Sequence, residues 1–393
     1  MPSVCLYFHC HQPFRISRFP VFNIGGDFPY FDEQRNYHYL ERIVRKCYLP
    51  ANNLLLGLIK KYKGKFKVNF SISGLLMEQL EKHFPAVLTS FKVLVETGCA
   101  ELLAETYHHS LSFLYSKSEF KKQVSLHKRK LKKLFNFEPT AFRNTELAFN
   151  NEMAKQIEQM GYKTVLTEGA NHILGWRSPD FVYKAANTKN LKVLMRNYKL
   201  SDDISFRFSE KSWSEWPLTA EKFARWVSQV NGNGQLVNLF MDYETLGEHQ
   251  WEDTGIFQFM ENLPKEIFKH KDNNFKTVSQ AANNYPAIGE IDCPETISWA
   301  DTERDLSAWL GNQMQKEAAQ KIYSLENAAL EASKPIIDNW RKLQTSDHFY
   351  YMCTKWFSDG DVHKYFNPYE SPYDCFISYM NILSDLQLKL AKR

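Results

Sequence analysis

The stretch "QLVNLFMDYETLGEHQW" (residues 235–251) joins an apolar run to a cluster of polar side chains. The run up to Met241 has the length and the composition of a buried β-strand. It is followed by three carboxylates, an imidazole and an indole: Asp242, Glu244, Glu248, His249 and Trp251. In β/α folds, functional groups lie at the carboxyl ends of the strands. The stretch therefore predicts a strand of a parallel sheet that ends in a site.

Short apolar or alternating segments of this kind recur along the chain, with helical patterns between them. The candidate strands are 3–9, 66–73, 100–106, 140–144, 163–168, 192–197 and 235–242. The helical patterns cover 38–62, 76–96, 118–135, 150–160 and 219–230, and Ser118 is the predicted cap of the third. Strand–helix alternation predicts an α/β fold with a parallel sheet and outer helices. Seven such units favour an incomplete or nearly closed (β/α)7 barrel over an open sheet.

The pattern changes after about residue 290, where helices dominate. Residues 305–333 read as one long amphipathic helix that ends or breaks at Pro335, 336–352 as a second helix and 371–393 as a third. The segment 356–374 between the last two is turn-rich. We expect two domains, a barrel over residues 1–290 and a helical bundle over residues 291–393; the family resemblance described below implies that the bundle contributes Asp347 to the active site.

The bulk composition excludes several partners. The 393 residues carry 49 Lys and Arg against 45 Asp and Glu, a net charge of +4. A nucleic-acid-binding protein would show a stronger basic bias, and the basic stretch 121–133 reads as the solvated face of a helix. No apolar run reaches the roughly 20 residues needed to span a membrane. We therefore expect neither nucleic acid nor a membrane as partner; the oligomeric state stays open.

The cysteines and the first residues indicate a compartment. The seven cysteines include no Cys-x-x-Cys pair and their number is odd, which is typical of free thiols in a reducing environment. The first residues, "MPSVCLYFHCHQPF", lack the basic leader and the apolar core of a secretory signal. We expect a cytoplasmic protein.

Five candidate strands end in ionisable groups, which points to a polar pocket. His9 and His11 share a face of the first strand because side chains alternate along a strand. Glu78 follows the second strand, and His109 lies in the polar run after the third. The His-x-His pair admits two interpretations, hydrogen-bonded core histidines or metal ligands.

The remaining polar strand ends are those of the fourth and the last strand. Arg143, Asn144 and Glu146 follow the fourth. Alternation along the last strand places Asn238, Asp242 and Glu244 on one face. A polar Asn238 within an apolar run predicts that this face looks into a polar barrel mouth. Glu248 is expected in the following loop.

Five stretches in order resemble glycoside hydrolase family 57, in particular its compact α-amylase-type members. They are "HQP" (11–13), "GLLMEQLE" (74–81), "FRNTELAFNN" (142–151), "MDYETLGEHQW" (241–251) and "SDHFYYM" (346–352). Each is weak alone, but together they span nearly the whole chain. The resemblance implies a seven-stranded incomplete barrel with a helical bundle, which acts on α-glucans such as starch, glycogen or maltooligosaccharides with retention of anomeric configuration and without a metal or other cofactor.

The resemblance also implies roles for matching residues. Glu146 takes the position of the nucleophile and Asp242 that of the general acid/base. Substrate contacts fall to His11, Glu78 and Asp347, with Trp251 as a stacking surface. His9, His109 and Glu244 are further candidates, with Glu244 also expected to support Asp242, whereas Glu248 and His249 are loop residues with either a substrate-binding or a structural role.

The chemistry agrees with these roles. A retaining glycosidase uses two carboxyl groups about 5–5.5 Å apart, one ionised for attack and one protonated to assist the leaving oxygen. Burial beside another carboxylate raises a carboxyl pKa, as the acid requires.

Other functions remain open from the sequence. A 4-α-glucanotransferase would use the same two acids. A metal-dependent sugar hydrolase or polysaccharide deacetylase would use His9, His11 and a carboxylate around a metal ion, but would leave Glu146 without a role. A non-catalytic glucan-binding protein would keep the pocket without turnover.

Overall fold

The computed structural model describes residues 2–355 and 367–391, which form an α/β fold. The strands in this part of the chain are β1 (Ser3–Cys10), β2 (Val68–Ile72), β3 (Ala100–Leu102), β4 (Ala141–Arg143), β5 (Thr164–Glu168), β6 (Val182–Ala185), β7 (Lys192–Arg196), β8 (Leu236–Asp242), β9 (Asn274–Phe275) and β10 (Glu290–Ile291).

The helices surround these strands and dominate the C-terminal part. They are α1 (Glu33–Ile43), α2 (Leu49–Lys61), α3 (Gly74–His83), α4 (Pro85–Glu96), α5 (Ser112–Tyr115), α6 (Lys117–Phe135), α7 (Asn151–Gln159), α8 (Asn171–Leu174), α9 (Tyr198–Ser205), α10 (Ala220–Ser228), α11 (Ile256–Ile267), α12 (Val278–Asn284), α13 (Ser307–Leu310), α14 (Gln313–Ser324), α15 (Glu326–Leu330), α16 (Lys334–Lys342), α17 (Ser346–Tyr350) and α18 (Pro372–Ala391).

The strands form two five-stranded sheets. The first has the order β3-β2-β1-β8, with β9 also paired to β1, and all its pairs are parallel. The second has the order β10-β6-β7-β5-β4, in which only the β6–β7 pair is antiparallel. All seven predicted strands are present. The sequence did not predict β6, β9 and β10, which have four, two and two residues and are too short to show a period.

The two sheets adjoin at two seams. At one, a parallel bridge joins Ala104 to Phe142, next to the ends of β3 and β4. At the other, the amide of Asn197 donates to the carbonyl of Asn238 over 2.9 Å. The Asn238 side chain is fully buried and donates to the Met195 carbonyl of β7 over 2.8 Å. The prediction that Asn238 marks a polar mouth is therefore wrong, because its amide satisfies a neighbouring strand inside the seam.

Side-chain alternation in β1 and β8 separates an outer from an inner core. In β1, Leu6 and Phe8 pack in the cluster formed with α1, α2, α10 and α11, whereas Tyr7 faces the inner cluster. His9 continues the inner face and is the register partner of Asp242 at the end of β8. Both side chains therefore reach the same interior at the carboxyl end of the sheet.

Several predicted helix boundaries are wrong. The cap of α6 is Ser116, whose hydroxyl accepts from the Glu119 amide, and not Ser118. The basic stretch inside α6 does form an amphipathic helix with a buried apolar side, as predicted. The pattern 76–96 is divided into α3 and α4 at Pro85, and 38–62 contains α1, a π-helical turn (Val44–Tyr48) and α2.

The C-terminal helices are shorter than the sequence pattern indicated. The predicted helix 305–333 is divided into α13, α14 and α15, because Asn312 and Gln315 form a capping box that starts a new helix. Pro335 lies in the first turn of α16, and 336–352 contains the break before α17. The third predicted helix is present as α18. Of the turn-rich segment, residues 356–366 lie outside the described residues.

The cysteines and the helix lengths bear on two further expectations. All seven cysteines are buried and free, which confirms the prediction of free thiols. Among the described residues, no helix combines the length and the apolar character that crossing a bilayer requires.

Candidate active site

Glu146 follows β4 in a single 3₁₀ turn, Thr145–Leu147. Its backbone is left-handed, with φ 57° and ψ 27°. Non-glycine residues seldom adopt this region, and those that do often belong to functional sites. The turn is fixed from outside by the amide of Trp299, which donates to the Glu146 carbonyl over 3.3 Å.

Three donors hold the Glu146 carboxylate. They are Nε2 of His109 at 3.0 Å, Nε1 of Trp299 at 2.9 Å and Oγ of Ser346 at 2.9 Å. Trp299 and Ser346 come from segments far along the chain, and Ser346 is fixed by its own amide, which donates to the His109 carbonyl over 2.9 Å. The carboxylate is 13% exposed, so that most of its surroundings are protein.

His109 lies between two carboxylates. Nδ1 faces Oε2 of Glu105 at 3.3 Å, and Nε2 faces Glu146. Burial alone would lower its pKa, but the hydrogen bonds and charges of the two glutamates raise the pKa of His109 to about 9. The imidazole is therefore charged at neutral pH and donates through both nitrogens.

The same contacts keep Glu146 ionised. Burial opposes ionisation, but the hydrogen bond and charge of His109, together with the charge of Arg143, lower the pKa of Glu146 below its ordinary value. The pKa of Glu105 is lowered in the same way, against the effect of its burial. The site thus holds an anionic glutamate in a low-dielectric environment at neutral pH.

Asp242 has different surroundings. Among the described residues no hydrogen bond reaches its carboxyl group. Burial raises the pKa of Asp242 to about 6; the Arg143 charge lowers it, and the Glu146 charge raises it further. This carboxyl group therefore exchanges a proton close to neutral pH, and it lies within the field of Glu146.

Glu244 lies close enough to Asp242 for the charge of Asp242 to act on it, and it has hydrogen-bond partners of its own. The 3₁₀ turn Tyr243–Thr245 ends the strand directly after Asp242, so strand alternation does not determine the direction of the Glu244 side chain. Its carboxyl group accepts a short hydrogen bond from the Tyr48 hydroxyl and one of 3.3 Å from Gln12. Burial, reinforced by the charge of Asp242, raises the pKa of Glu244 to about 8.

His9 of β1 and His11, which follows the strand, stack against His109. The ring centroids of His9 and His109 are 4.8 Å apart, and those of His11 and His109 are 4.0 Å apart. His11 is held between the Ser73 hydroxyl at 2.7 Å and Asp347 at 2.9 Å. Asp347 belongs to α17, so the C-terminal helices extend to the same pocket as β1.

Arg143 is a fully buried cation beside this pocket. None of its side-chain nitrogens has a hydrogen-bond partner within the described part of the chain. Its guanidinium lies 4.9 Å from the ring centroid of Trp299, whose indole N–H holds Glu146. A buried charge without hydrogen bonds is costly, and here it faces the carboxyl groups of Glu146 and Asp242.

Among the described residues, two groups of side chains have the spacing of metal ligands, His9–Glu105–His109 and His11–His109–Asp347. Both include His109, whose two nitrogens face Glu105 and Glu146. Both nitrogens of His11 have partners as well. In this arrangement the ring nitrogens of His109 and His11 are engaged in hydrogen bonds within the protein.

Comparison with known proteins identifies the family. The model of glycosyl hydrolase family 57 matches residues 5–294. The chain belongs to glycosyl hydrolase family 57. A protein of Methanocaldococcus jannaschii, provisionally named an alpha-amylase, is 43% identical over 395 residues, 97% of this chain and 83% of the relative.

Two solved structures share the fold. A family 57 branching enzyme of Thermococcus kodakaraensis superposes with a TM-score of 0.68 at 14% identity, over 92% of this chain and 87% of that one. An alpha-amylase of Thermotoga maritima gives a TM-score of 0.60 at 12% identity, over 100% of this chain and 96% of that one. At these identities the likeness concerns the fold alone.

Two predicted substrate contacts of this family 57 chain lie apart from the Glu146 cluster. Glu78 accepts from the Tyr107 hydroxyl at 2.8 Å and lies 3.4 Å from the Lys342 ammonium, without a direct contact to Glu146 or Asp242. Trp251 is 55% exposed and lines a surface groove on the outer helices.

The two loop residues with open roles differ in exposure. Glu248 is 2% exposed and forms an ion pair with Arg42 over 2.7 Å, which favours the structural role. His249 is half-buried, and the loss of solvent around its ring lowers its pKa to about 4.

Four residues of the site were not among the predicted ones. Arg143 was noted only as a polar strand end, and Glu105 belongs to the polar run after the third strand, although their positions before Glu146 and His109 were a usable signal. Ser346 begins the stretch "SDHFYYM" and precedes Asp347, but it was given no role. Trp299 gave no local signal, because it reaches Glu146 from 153 residues further along the chain.

Proposed function

We propose that this family 57 protein is a retaining, α-amylase-type glycoside hydrolase that cleaves α-1,4-glucosidic bonds. Glu146 is the nucleophile and Asp242 the general acid/base. The observation that carries the assignment is the opposite protonation preference of two carboxyl groups in one pocket: Glu146 is held ionised by three donors, whereas burial raises the pKa of Asp242. A double displacement needs this pairing.

The reaction has two balanced steps. In the first, Asp242 gives its proton to the glycosidic oxygen while a Glu146 oxygen bonds to the anomeric carbon and the leaving sugar departs. In the second, ionised Asp242 takes a proton from water, whose oxygen displaces Glu146 from the anomeric carbon. Asp242 is protonated again at the end of the cycle, and each inversion cancels the other, so the configuration is retained.

The residues described above also form the proposed substrate-binding site. His11 and Asp347 contact sugar hydroxyls, with His9 and His109 in the layer beneath them. Glu78 remains a candidate at the rim. Glu244, hydrogen-bonded to Tyr48 and Gln12, supports Asp242 rather than touching sugar. The proposed substrate is an α-glucan such as starch, glycogen or a maltooligosaccharide, with no cofactor, and the proposed location is cytoplasmic.

The proposed architecture is an incomplete (β/α)7 barrel over residues 1–290. Its seven strands are β1, β2, β3, β4, β5, β7 and β8. The bridge at Ala104 and the hydrogen bonds at Asn238 support it, since they link the two sheets at both edges. Residues 291–393 form the proposed helical bundle, which adds Ser346 and Asp347 to the site.

The product profile from maltoheptaose tests the proposal. We expect shorter maltooligosaccharides from the wild-type protein and none from Glu146→Gln, which retains the shape of the side chain and should still bind the sugar. Equal product from both proteins would overturn the role of Glu146. Products longer than maltoheptaose would instead assign the protein as a 4-α-glucanotransferase.

A chelator separates the metal-dependent alternative. Because His109 and His11 are committed to carboxylates, we expect full activity after dialysis against EDTA. Loss of activity that returns with a divalent metal would contradict the double-displacement assignment.

A further inference from the structure

A groove on the outer helices lies apart from the Glu146 pocket. We call it the Trp251 groove; the lining residues used below are Arg45, Lys46, Trp251, Glu252, Phe257 and Glu261. It lies where the π-helical turn Val44–Tyr48 and the start of α2 meet the loop after β8 and the start of α11. None of the residues that contact Glu146 lines it.

The loop that carries Trp251 is held firmly. Gly247 has φ +101°, and a Cβ there would lie 2.0 Å from the carbonyl oxygen of Lys46, so only glycine permits this close approach. The next residue, Glu248, forms its buried ion pair with Arg42 on α1. After the indole, the Thr254 hydroxyl donates to the Trp251 carbonyl over 2.6 Å. The loop therefore presents the exposed ring from a fixed backbone.

The π-helical turn Val44–Tyr48 connects the groove to the surroundings of Asp242. Lys46 of this turn places its ammonium 5.0 Å from the centre of the Trp251 ring. Tyr48 of the same turn donates to Glu244, which lies beside Asp242. π-Helical turns of this kind occur frequently at functional sites.

The chemistry of the groove suits a sugar chain. An exposed indole offers a flat apolar face to the C–H groups of a pyranose, with no need for a fully buried pocket. Carboxylates of Glu252 and Glu261 can accept from hydroxyl groups, and Arg45 can donate to them. A neutral polymer with alternating apolar faces and hydroxyl edges matches this mixture better than a lipid or a nucleic acid.

We propose that the Trp251 groove is a second glucan-binding surface, which holds a stretch of the polysaccharide outside the cleavage site. This inference rests on the proposed function, since it takes the α-glucan as its ligand. Trp251 thus contributes to substrate binding on the outer surface and not by stacking on the sugar that is cleaved. Long substrates gain from both sites, whereas a short oligosaccharide occupies only the Glu146 pocket.

The test compares Trp251→Ala with Trp176→Ala, since Trp176 is 95% exposed and lies outside the groove. The readout is the ratio of kcat/KM on amylose to kcat/KM on maltotetraose. We expect this ratio to fall about 5–10-fold for Trp251→Ala, the effect of losing one aromatic stacking contact, and to stay unchanged for Trp176→Ala. Trp251→Phe should recover most of the ratio. An unchanged ratio for Trp251→Ala, whether both rates fall together or neither falls, would overturn the proposal.

Binding without turnover distinguishes this proposal from the proposed function. In the Glu146→Gln background, retardation on native gels containing soluble starch should weaken when Trp251 is replaced by Ala and not when Trp176 is. This gel reports on the groove even if the wild-type protein releases no sugar, an outcome that would overturn the hydrolase assignment alone. Equal retardation of the two double variants would remove the Trp251 groove as a glucan site.

Discussion

Glu146 and Asp242 are carboxyl groups at the ends of β4 and β8, yet their surroundings differ in almost every respect. Glu146 lies on a left-handed backbone turn and receives three hydrogen bonds, one of them from a charged imidazole. Asp242 ends a regular strand and receives none among the described residues. The difference gives two similar side chains opposite protonation preferences, as the proposed nucleophile and the proposed acid require, through hydrogen-bond donors around Glu146 and desolvation around Asp242.

Removing each acid gives the largest expected effects and tests the comparison directly. We expect Glu146→Gln to lower kcat/KM on the order of 10⁴-fold or more on any glycoside, because no covalent intermediate forms. Asp242→Asn should lower it about 10²–10⁴-fold on maltoheptaose, but much less on an aryl maltoside with a good leaving group. That aglycone departs without a proton. The same leaving-group dependence for both variants would show that the two roles are wrongly divided.

Substitutions of His109 test whether its hydrogen bond and its charge keep Glu146 ionised. Replacing it by Leu removes a charged donor from Glu146 and should lower kcat about 10²–10³-fold. Replacing it by Gln keeps an amide donor without the charge. For this variant we expect a smaller loss and an acid limb of the pH–rate profile that moves to higher pH, since the pKa of Glu146 rises. Identical profiles for wild type and His109→Gln would contradict the role of the charge.

Arg143 acts on both carboxyl groups, because its buried cation lowers the pKa values of Glu146 and Asp242. Arg143→Met should therefore move both limbs of the kcat/KM profile to higher pH, by roughly one unit, with about a 10-fold loss at the optimum. Wild type should lose activity as the pH rises through about 6, where Asp242 loses its proton. Arg143→Lys keeps the charge and serves as the control. A purely structural role would lower activity in Arg143→Met without moving either limb.

Glu244 should give the smallest effect on activity, within about 10-fold, and a clearer one on stability. Its pKa is raised from 4.5 to about 8 in the folded protein, so between these values only the unfolded chain ionises freely, and folding loses stability as the pH rises. Glu244→Gln removes this loss of stability at high pH, because the amide does not ionise. We expect its Tm relative to wild type to be roughly 2–4 °C higher at pH 8 than at pH 5.

A neighbouring glutamate provides the control for this measurement. Glu248→Gln breaks the buried ion pair with Arg42 and should lower Tm at both pH values. If Glu244→Gln also lowered Tm at both pH values, the Glu244 carboxyl group would be ionised in the folded protein. The raised pKa assigned to Glu244 would then be wrong.

The sequence predicted what depends on local pattern. Alternation along β8 placed Asp242 on the face that looks into the barrel, and in the structure its register partner is His9, which continues the inner face of β1. The same rule does not extend to Glu244, because a 3₁₀ turn starts directly after Asp242. For Asn238 the face was inward as predicted, but its amide bonds to a neighbouring strand that the sequence could not identify.

The parts that sequence reasoning missed depend on tertiary contacts. Nothing around Trp299 indicates that its indole reaches Glu146, since that contact follows from the bridge between Ile297 and Phe149. The long helical pattern 305–333 hid a capping box at Asn312, whose start signal for a new helix outweighs the continuing periodicity. Barrel closure and domain boundaries remain predictions.

The contact between Ser346 and Glu146 has a consequence for synthesis on the ribosome. Glu146, the proposed nucleophile, emerges two hundred residues before Ser346, which donates to its carboxylate, and Asp347 follows directly after Ser346. Strands β1 to β8 can assemble earlier, since domains fold as the nascent chain lengthens from its N-terminus. A nascent chain that stops short of Ser346 would therefore hold both proposed catalytic carboxyl groups without two of the side chains of the proposed site.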